Sequence, residues 1–177
     1  AAQLGMRVAV AERDKPGWVC VNLGCIPSKA ILISAGLYED MRNAEAYGIR
    51  CQGLSADYGA VIRRSRKVAD RMSRGVTYLF KKNGIELFPA SATVLSPTTV
   101  RVGEEELSAK NILVASGTSV RGLPGIEPDG RAILTSDDAL ALETLPRYVI
   151  VLGGGAVGVE FAYIYRAFGA DVAIVEM

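Results

Sequence analysis

The sequence predicts an α/β fold with parallel strands, on three observations. A short apolar run, Tyr148-Val149-Ile150-Val151-Leu152, leads into the glycine-rich stretch Gly153-Gly154-Gly155-Ala156-Val157-Gly158 and then into a helical pattern. Near the other end, Leu4-Gly5-Met6-Arg7-Val8-Ala9-Val10-Ala11-Glu12 repeats in type the run Phe168-Gly169-Ala170-Asp171-Val172-Ala173-Ile174-Val175-Glu176. Helical and strand patterns alternate between these ends. With 177 residues, 50% hydrophobic and 22% charged, the chain is long and apolar enough for a buried core of one to two domains. A net charge of +1 singles out no nucleic acid or other charged partner. Three cysteines are too few for a disulfide-stapled secreted scaffold. No stretch reads as a signal peptide or as an apolar span of about 18 residues, so a reducing, cytoplasmic compartment without membrane association is expected. The chain has no histidine, so the commonest acid/base and metal ligand is missing and no metal site is expected.

Each element has a local reason. Residues 1–5 read as the end of a helix stopped by Gly5, and Val8 to Ala11 as the strand that ends at Glu12. Ser28 to about Met41 is a helical run, followed by a polar loop through Gly48 and Gly53. From Tyr58 to Lys82, Val61, Ile62, Val68, Ala69, Met72, Val76, Leu79 and Phe80 recur at helical spacing, with Arg63, Arg64, Arg66, Lys67 and Arg74 as the solvated face. Pro89 and Pro97 break residues 85–102 into short strands, and Asn111 to Ala115 reads as a buried strand closed by Ser116-Gly117. Pro124, Gly125, Pro128 and Gly130 mark a long connection. Val159 to Phe168 is helical, and Asp171 to Val175 is the strand that ends at Glu176.

The run Arg147 to Glu176 is thus a complete β-α-β unit of the dinucleotide-binding, Rossmann-like kind. Glycine permits the tight turn at Gly153, close approach of a pyrophosphate at Gly155, and close helix-to-strand packing at Gly158. Glu176 stands about 20 residues on, where a carboxylate accepts from a ribose 2′-hydroxyl and favours NAD over NADP. Because Glu12 occupies the place of Glu176 in the repeat, a second nucleotide site is implied, its glycine loop falling before residue 1.

Cys20 and Cys25 stand in Cys20-Val21-Asn22-Leu23-Gly24-Cys25-Ile26-Pro27-Ser28-Lys29. A straight helix rises about 7.5 Å over five residues, beyond the limit of about 7 Å for an unstrained bridge, so a disulfide here requires a bend. Gly24 supplies a place for it. A strained, tight disulfide is readily reduced and suits electron transfer. On spacing alone, two unrelated buried thiols are an equal reading. Cys51 reads as a small buried residue or stray thiol.

These residues together, Cys20 to Lys29 with Gly153 to Glu160 and Glu176 downstream, resemble the pyridine nucleotide-disulfide oxidoreductases, most closely the branch that oxidises dihydrolipoyl groups with NAD. The resemblance covers essentially the whole chain. It implies a Rossmann-like FAD-binding domain over 1–145, lacking its first strand and glycine loop, and the first unit of a Rossmann-like NAD-binding domain over 146–177. On this reading the chain is an interior, truncated piece of a longer protein, inactive alone. The implied cofactors are FAD and NAD. The implied partners are a dihydrolipoyl group of a 2-oxo acid dehydrogenase complex or of the glycine cleavage system, and a second copy in a homodimer. For a eukaryotic source the compartment becomes the mitochondrial matrix.

Carried onto this sequence, the resemblance places Cys25 against the flavin and Cys20 where it exchanges with the dithiol, with Lys29 near the flavin and paired to Glu160. FAD contacts fall on Glu12, Gly17, Val19, Cys20, Lys29, Ala90, Ser116, Gly117 and Thr118; NAD contacts fall on Gly153, Gly154, Gly155, Ala156, Val157, Gly158, Glu160 and Glu176. Two departures stand out. Gly17-Trp18-Val19-Cys20 replaces the usual Gly-Gly-Thr-Cys and loses a flexible residue and a hydroxyl beside the FAD phosphates; Ser116 replaces a threonine and keeps its hydroxyl. The family's His-Glu acid/base pair belongs to a C-terminal domain of the partner subunit, in keeping with a histidine-free chain. Another disulfide or mercuric reductase, or a non-catalytic nucleotide-binding module, is the alternative reading.

Overall fold

The computed structural model describes residues 1–176. In chain order the elements are β1 (Ala9–Ala11), α1 (Cys25–Arg42), α2 (Tyr58–Lys82), β2 (Glu86–Phe88), β3 (Ala92–Ser96), β4 (Thr99–Val102), β5 (Glu105–Ser108), α3 (Ser136–Ala139), β6 (Tyr148–Leu152), α4 (Ala156–Ala167) and β7 (Asp171–Val175). A π-helical turn at Val19–Leu23 precedes α1. Two compact units form, one from Ala1–Asn22 with Asp70–Ser119, the other from Leu23–Ala69 with Val120 onward. They interleave along the chain, and α2 contributes to both.

In the first unit, Gly5 at φ 80° ends an opening 3-10 turn, as a residue without a Cβ can. β1 then pairs in parallel with β2, Val10 opposite Leu87, and the Glu12 N–H extends the ladder to Phe88 O at 3.0 Å. β3, β4 and β5 form an antiparallel meander. Pro89 and Pro97, which cannot donate to a ladder, fall between strands as their chemistry requires. One expectation fails here: Asn111 to Ala115 is not a strand, and Leu113 is 91% exposed. An apolar run becomes a parallel strand only where a neighbour accepts its ladder, and none does among the described residues.

The second unit is built around Ile31 of α1, Tyr58 and Ile62 of α2, Ala139 and Leu140 at α3, Phe161, Ile164 and Tyr165 of α4, and Ala170. Burying one isoleucine of this kind contributes about 1.5–3 kcal/mol, and Ile31, Ile62 and Ile164 are all fully enclosed. Tyr58 meets the Phe168 ring edge-on at 5.4 Å. α2 occupies the expected span, but Met72 and Leu79 are exposed. Nor are all its arginines merely solvated: Arg63 Nη1 pairs with Glu143 at 2.6 Å and Arg64 Nη1 donates to Ala30 O at 2.9 Å, tying α2 to α1 and to the connection before β6. Within the helical run Val19–Arg42 an 18-residue window has a mean hydropathy of 1.5, so by length and composition alone the run could cross a membrane, contrary to the expectation of no such span. Its apolar side includes core positions, Ile31 and Ala35 being fully buried.

β6 and β7 pair in parallel, Tyr148 opposite Asp171 through Leu152 opposite Val175, with α4 between them in sequence. β6 is enclosed on one face only. Tyr148, Ile150 and Leu152 are exposed, while Val149 packs against the core. α4 begins at Ala156, ahead of the expected Val159, because Gly155 in an extended conformation serves as its N-cap.

Candidate functional site

Helical backbone stops between the two cysteines, where Gly24 adopts φ −145° and ψ −114° as the N-cap of α1. Pro27 sits in the first turn of α1, where a missing N–H costs no hydrogen bond, and the Ser28 N–H donates to Gly24 O at 3.0 Å. Cys20 lies in the π-helical turn and Cys25 opens α1; both are exposed, which removes the reading of two buried thiols. Cys25 is a thiol in this structure. Cys51 is also exposed, which removes the buried alternative and leaves the stray thiol.

One turn beyond Cys25, α1 and α4 bring together residues far apart in sequence. Lys29 Nζ stands 2.6 Å from Glu160 Oε1, and Ser28 Oγ donates to Glu160 Oε2 at 3.2 Å. The carboxylate therefore has a donor on each oxygen. Glu160 is only 28% exposed at its side chain against 56% for Lys29, so the carboxylate is the more enclosed partner and the ammonium the more accessible one. Sequence reasoning missed Ser28 as a partner of Glu160. Its signal was its place next to Lys29 at the start of a helix, where both side chains reach the same neighbour.

The glycine loop shows a distinct role for each of its glycines. Gly153 holds φ 101°, a left-handed conformation, while its N–H extends the β6–β7 ladder to Val175 O at 2.8 Å. A Cβ on Gly158 would collide with the Gly153 carbonyl and come within 3.1 Å of Val151 Cγ1, so the helix lies directly on the loop. A Cβ on Gly155 would meet nothing within 4 Å. The Gly154 N–H donates to Glu176 Oε2, returning the end of β7 to the loop. Ala156 and Val157 form the first turn of α4. Glu176, the loop and the N-terminal amides of α4 thus share one end of the unit.

In the first unit, Glu12 follows β1 directly and its Oε1 accepts from the Asp14 N–H at 2.9 Å. The segment after it is strapped down: Lys15 pairs with Asp70 at 3.1 Å, the Trp18 N–H donates to Lys15 O at 3.2 Å, and Ser73 Oγ donates to Pro16 O at 2.8 Å. Gly17 has φ 96°, and a Cβ there would lie 2.7 Å from Val21 Cβ. Trp18 has φ 29°, the sole positive value outside glycine among the described residues, a conformation costing a bulky residue about 1–3 kcal/mol. A Cβ on Gly117 would lie 2.7 Å from Trp18 Cδ1 and 2.8 Å from its Nε1, with Val19 Cγ2 at 3.8 Å. Trp18 Nε1 is buried with no hydrogen-bond partner among the described residues, which costs about 1–3 kcal/mol. Ser116 and Thr118 flank Gly117 in an exposed loop, and Ala90 lies just beyond β2 with its N–H on Phe88 O at 2.9 Å.

The whole chain, residues 1–177, matches the family of pyridine nucleotide-disulphide oxidoreductases. The chain belongs to that family. Among its pyridine nucleotide-disulphide oxidoreductase relatives, it is 43% identical over 182 residues to the dihydrolipoyl dehydrogenase of Chlorobaculum parvum, covering 100% of this chain and 39% of that protein. Its fold is similar to the crystal structure of LpdA from Mycobacterium tuberculosis, with a TM-score of 0.87 and 28% identity over 99% of this chain and 40% of that one. It is also similar to RclA of Escherichia coli, described as an HOCl-induced flavoprotein disulfide reductase, with a TM-score of 0.80 and 28% identity over 99% of this chain and 38% of that one. The chain therefore spans about two fifths of the length of these relatives. Family membership implies FAD and NAD as cofactors, and the residues present fit both. For NAD, the open face at Gly155 admits close approach of a ligand to the backbone. For FAD, the unpartnered Trp18 Nε1 offers a buried donor in the segment that leaves β1 past Glu12.

Proposed function

We propose that the complete protein is an NAD-dependent flavin disulfide oxidoreductase that reoxidises dihydrolipoyl groups. The observation that carries this reading is the Lys29–Glu160 pair, held by Ser28 one turn from Cys25. It sets a partly exposed ammonium on the same helix as the thiol, four residues on, where i and i+4 side chains are neighbours. In the catalytic cycle Cys20 and Cys25 form the reversible disulfide. A substrate thiolate attacks Cys20 Sγ and breaks the Cys20–Cys25 bond, leaving Cys25 as thiolate. The second substrate thiol, losing its proton, then displaces Cys20, so the substrate leaves as a cyclic disulfide and the two cysteines hold its two electrons. FAD, when bound, supplies the passage of that electron pair from sulfur to NAD. Glu160 holds Lys29 in place, and the glycine loop with Glu176 orients NAD. Partners on this reading are a lipoyl-bearing multienzyme complex and a second copy of the chain.

The test is anaerobic mixing of the complete protein with dihydrolipoamide and NAD. One NADH per dithiol is expected, abolished by either Cys20→Ser or Cys25→Ser. NADH formation that survives both substitutions overturns the proposal. The likeness to RclA supports a second reading, reduction of a different disulfide, which the same assay separates by its lack of response to dihydrolipoamide.

A further inference from the structure

Trp18 combines two unfavourable features that the fold nevertheless keeps. Its backbone stands at φ 29°, and its buried Nε1 has no partner among the described residues. A strained residue persists where its surroundings over-determine it, and such sites cluster where ligands are held. The surroundings here do so: Lys15, Pro16 and the Trp18 backbone are tied to Asp70, Ser73 and Lys15. The indole lies against Gly117, which itself needs φ 73° and leaves no room for a side chain. Arg13 Cζ stands 5.6 Å from the ring centroid, on the strand-exit segment that also carries Glu12. In parallel α/β sheets, ligands bind beyond the carboxyl ends of the strands, and this segment leaves the carboxyl end of β1. Val19, which shares the Gly117 surface with the indole, has no hydroxyl to donate.

We infer that the Trp18 indole N–H is a hydrogen-bond donor to an oxygen of FAD, supplying from position 18 the donor that Val19 lacks. The inference rests on the proposed function, since it requires that the protein takes FAD. Nε1 is enclosed where the structure seats the ring, so taking up the acceptor requires the indole and Gly117 to part. A neutral donor facing an anionic or hydroxyl oxygen of the cofactor replaces a contact that otherwise goes unmade.

The test uses the complete protein, stripped of flavin and titrated with FAD, against Trp18→Phe, which keeps an aromatic ring and loses only the donor. FAD should bind about tenfold more weakly to the variant, as expected for a lost hydrogen bond to the cofactor. Trp18 is the single tryptophan of residues 1–177, so with indole-15N labelling its N–H resonance is assigned by its loss in Trp18→Phe. In the wild type, FAD should move that resonance downfield and slow its exchange with water. Equal FAD affinity in Trp18→Phe, an unmoved indole resonance, or tighter binding by Trp18→Gly would each overturn this inference alone. Failure of the wild type to take up FAD would overturn the proposed function and the inference with it.

Discussion

Lys29 of α1 and Glu160 of α4 meet at 2.6 Å where these two helices pack together, with Ser28 on the second carboxylate oxygen. A half-exposed ion pair with an extra hydroxyl donor should couple modestly. A double-mutant cycle with Lys29→Met and Glu160→Gln is expected to return about 0.5–1 kcal/mol from urea unfolding. A coupling indistinguishable from zero would mean that the contact contributes nothing to the fold.

Gly158 and Gly155 should separate stability from binding. Gly158→Ala forces a methyl against the Gly153 carbonyl, backbone that cannot yield cheaply, and is expected to cost more than about 2 kcal/mol. Gly155→Ala meets open space at an ordinary φ of −68°, so thermal stability should stay within about 1 kcal/mol while NAD binding weakens because the methyl stands where the pyrophosphate approaches. Calorimetry and NAD titration on the same two proteins read both effects. Equal loss of stability in the two variants would contradict this division.

Glu176, placed at the glycine loop by the Gly154 N–H, should set cofactor preference. Its carboxylate would oppose a 2′-phosphate at a cost on the order of several kcal/mol in a partly desolvated site. The complete protein should therefore use NADH far better than NADPH, and Glu176→Gln should narrow the gap. Wild-type kinetics equal for the two nucleotides would refute the assignment.

The capping box before α3 predicts an acid sensitivity. The hydroxyl of Thr135 donates to Asp138 Oδ2 at 2.7 Å and the Thr135 N–H at 2.8 Å, which hold the Asp138 carboxyl below its usual range, the hydroxyl being the larger cause. A depressed folded value means that the stabilisation is present above the unfolded value of about 3.9 and lost as pH falls below it. Asp138→Ala should therefore lower the urea midpoint at pH 7, and the difference from wild type should shrink by pH 3. A difference that is the same at both values would remove the carboxylate from the explanation.

Local rules were enough to read much of this protein from its residues. The β6–loop–α4–β7 unit, the span of α2 and the stop at Gly5 follow from glycine conformations, apolar spacing and helix ends, all of which act within a few residues of chain. So does the break at Gly24, the flexible residue between the two cysteines. What depended on the fold is different in kind. Asn111 to Ala115 has the composition of a strand, yet strand formation needs a neighbour's ladder, and sequence pattern carries no record of that neighbour. Ser28 and Lys29 reach Glu160 across a separation of about 130 residues only because α1 packs on α4. Trp18 was visible as a departure from the family's pattern, but its positive φ, its seat on Gly117 and its unpartnered N–H arise from where the folded chain places the ring, which composition and periodicity do not encode.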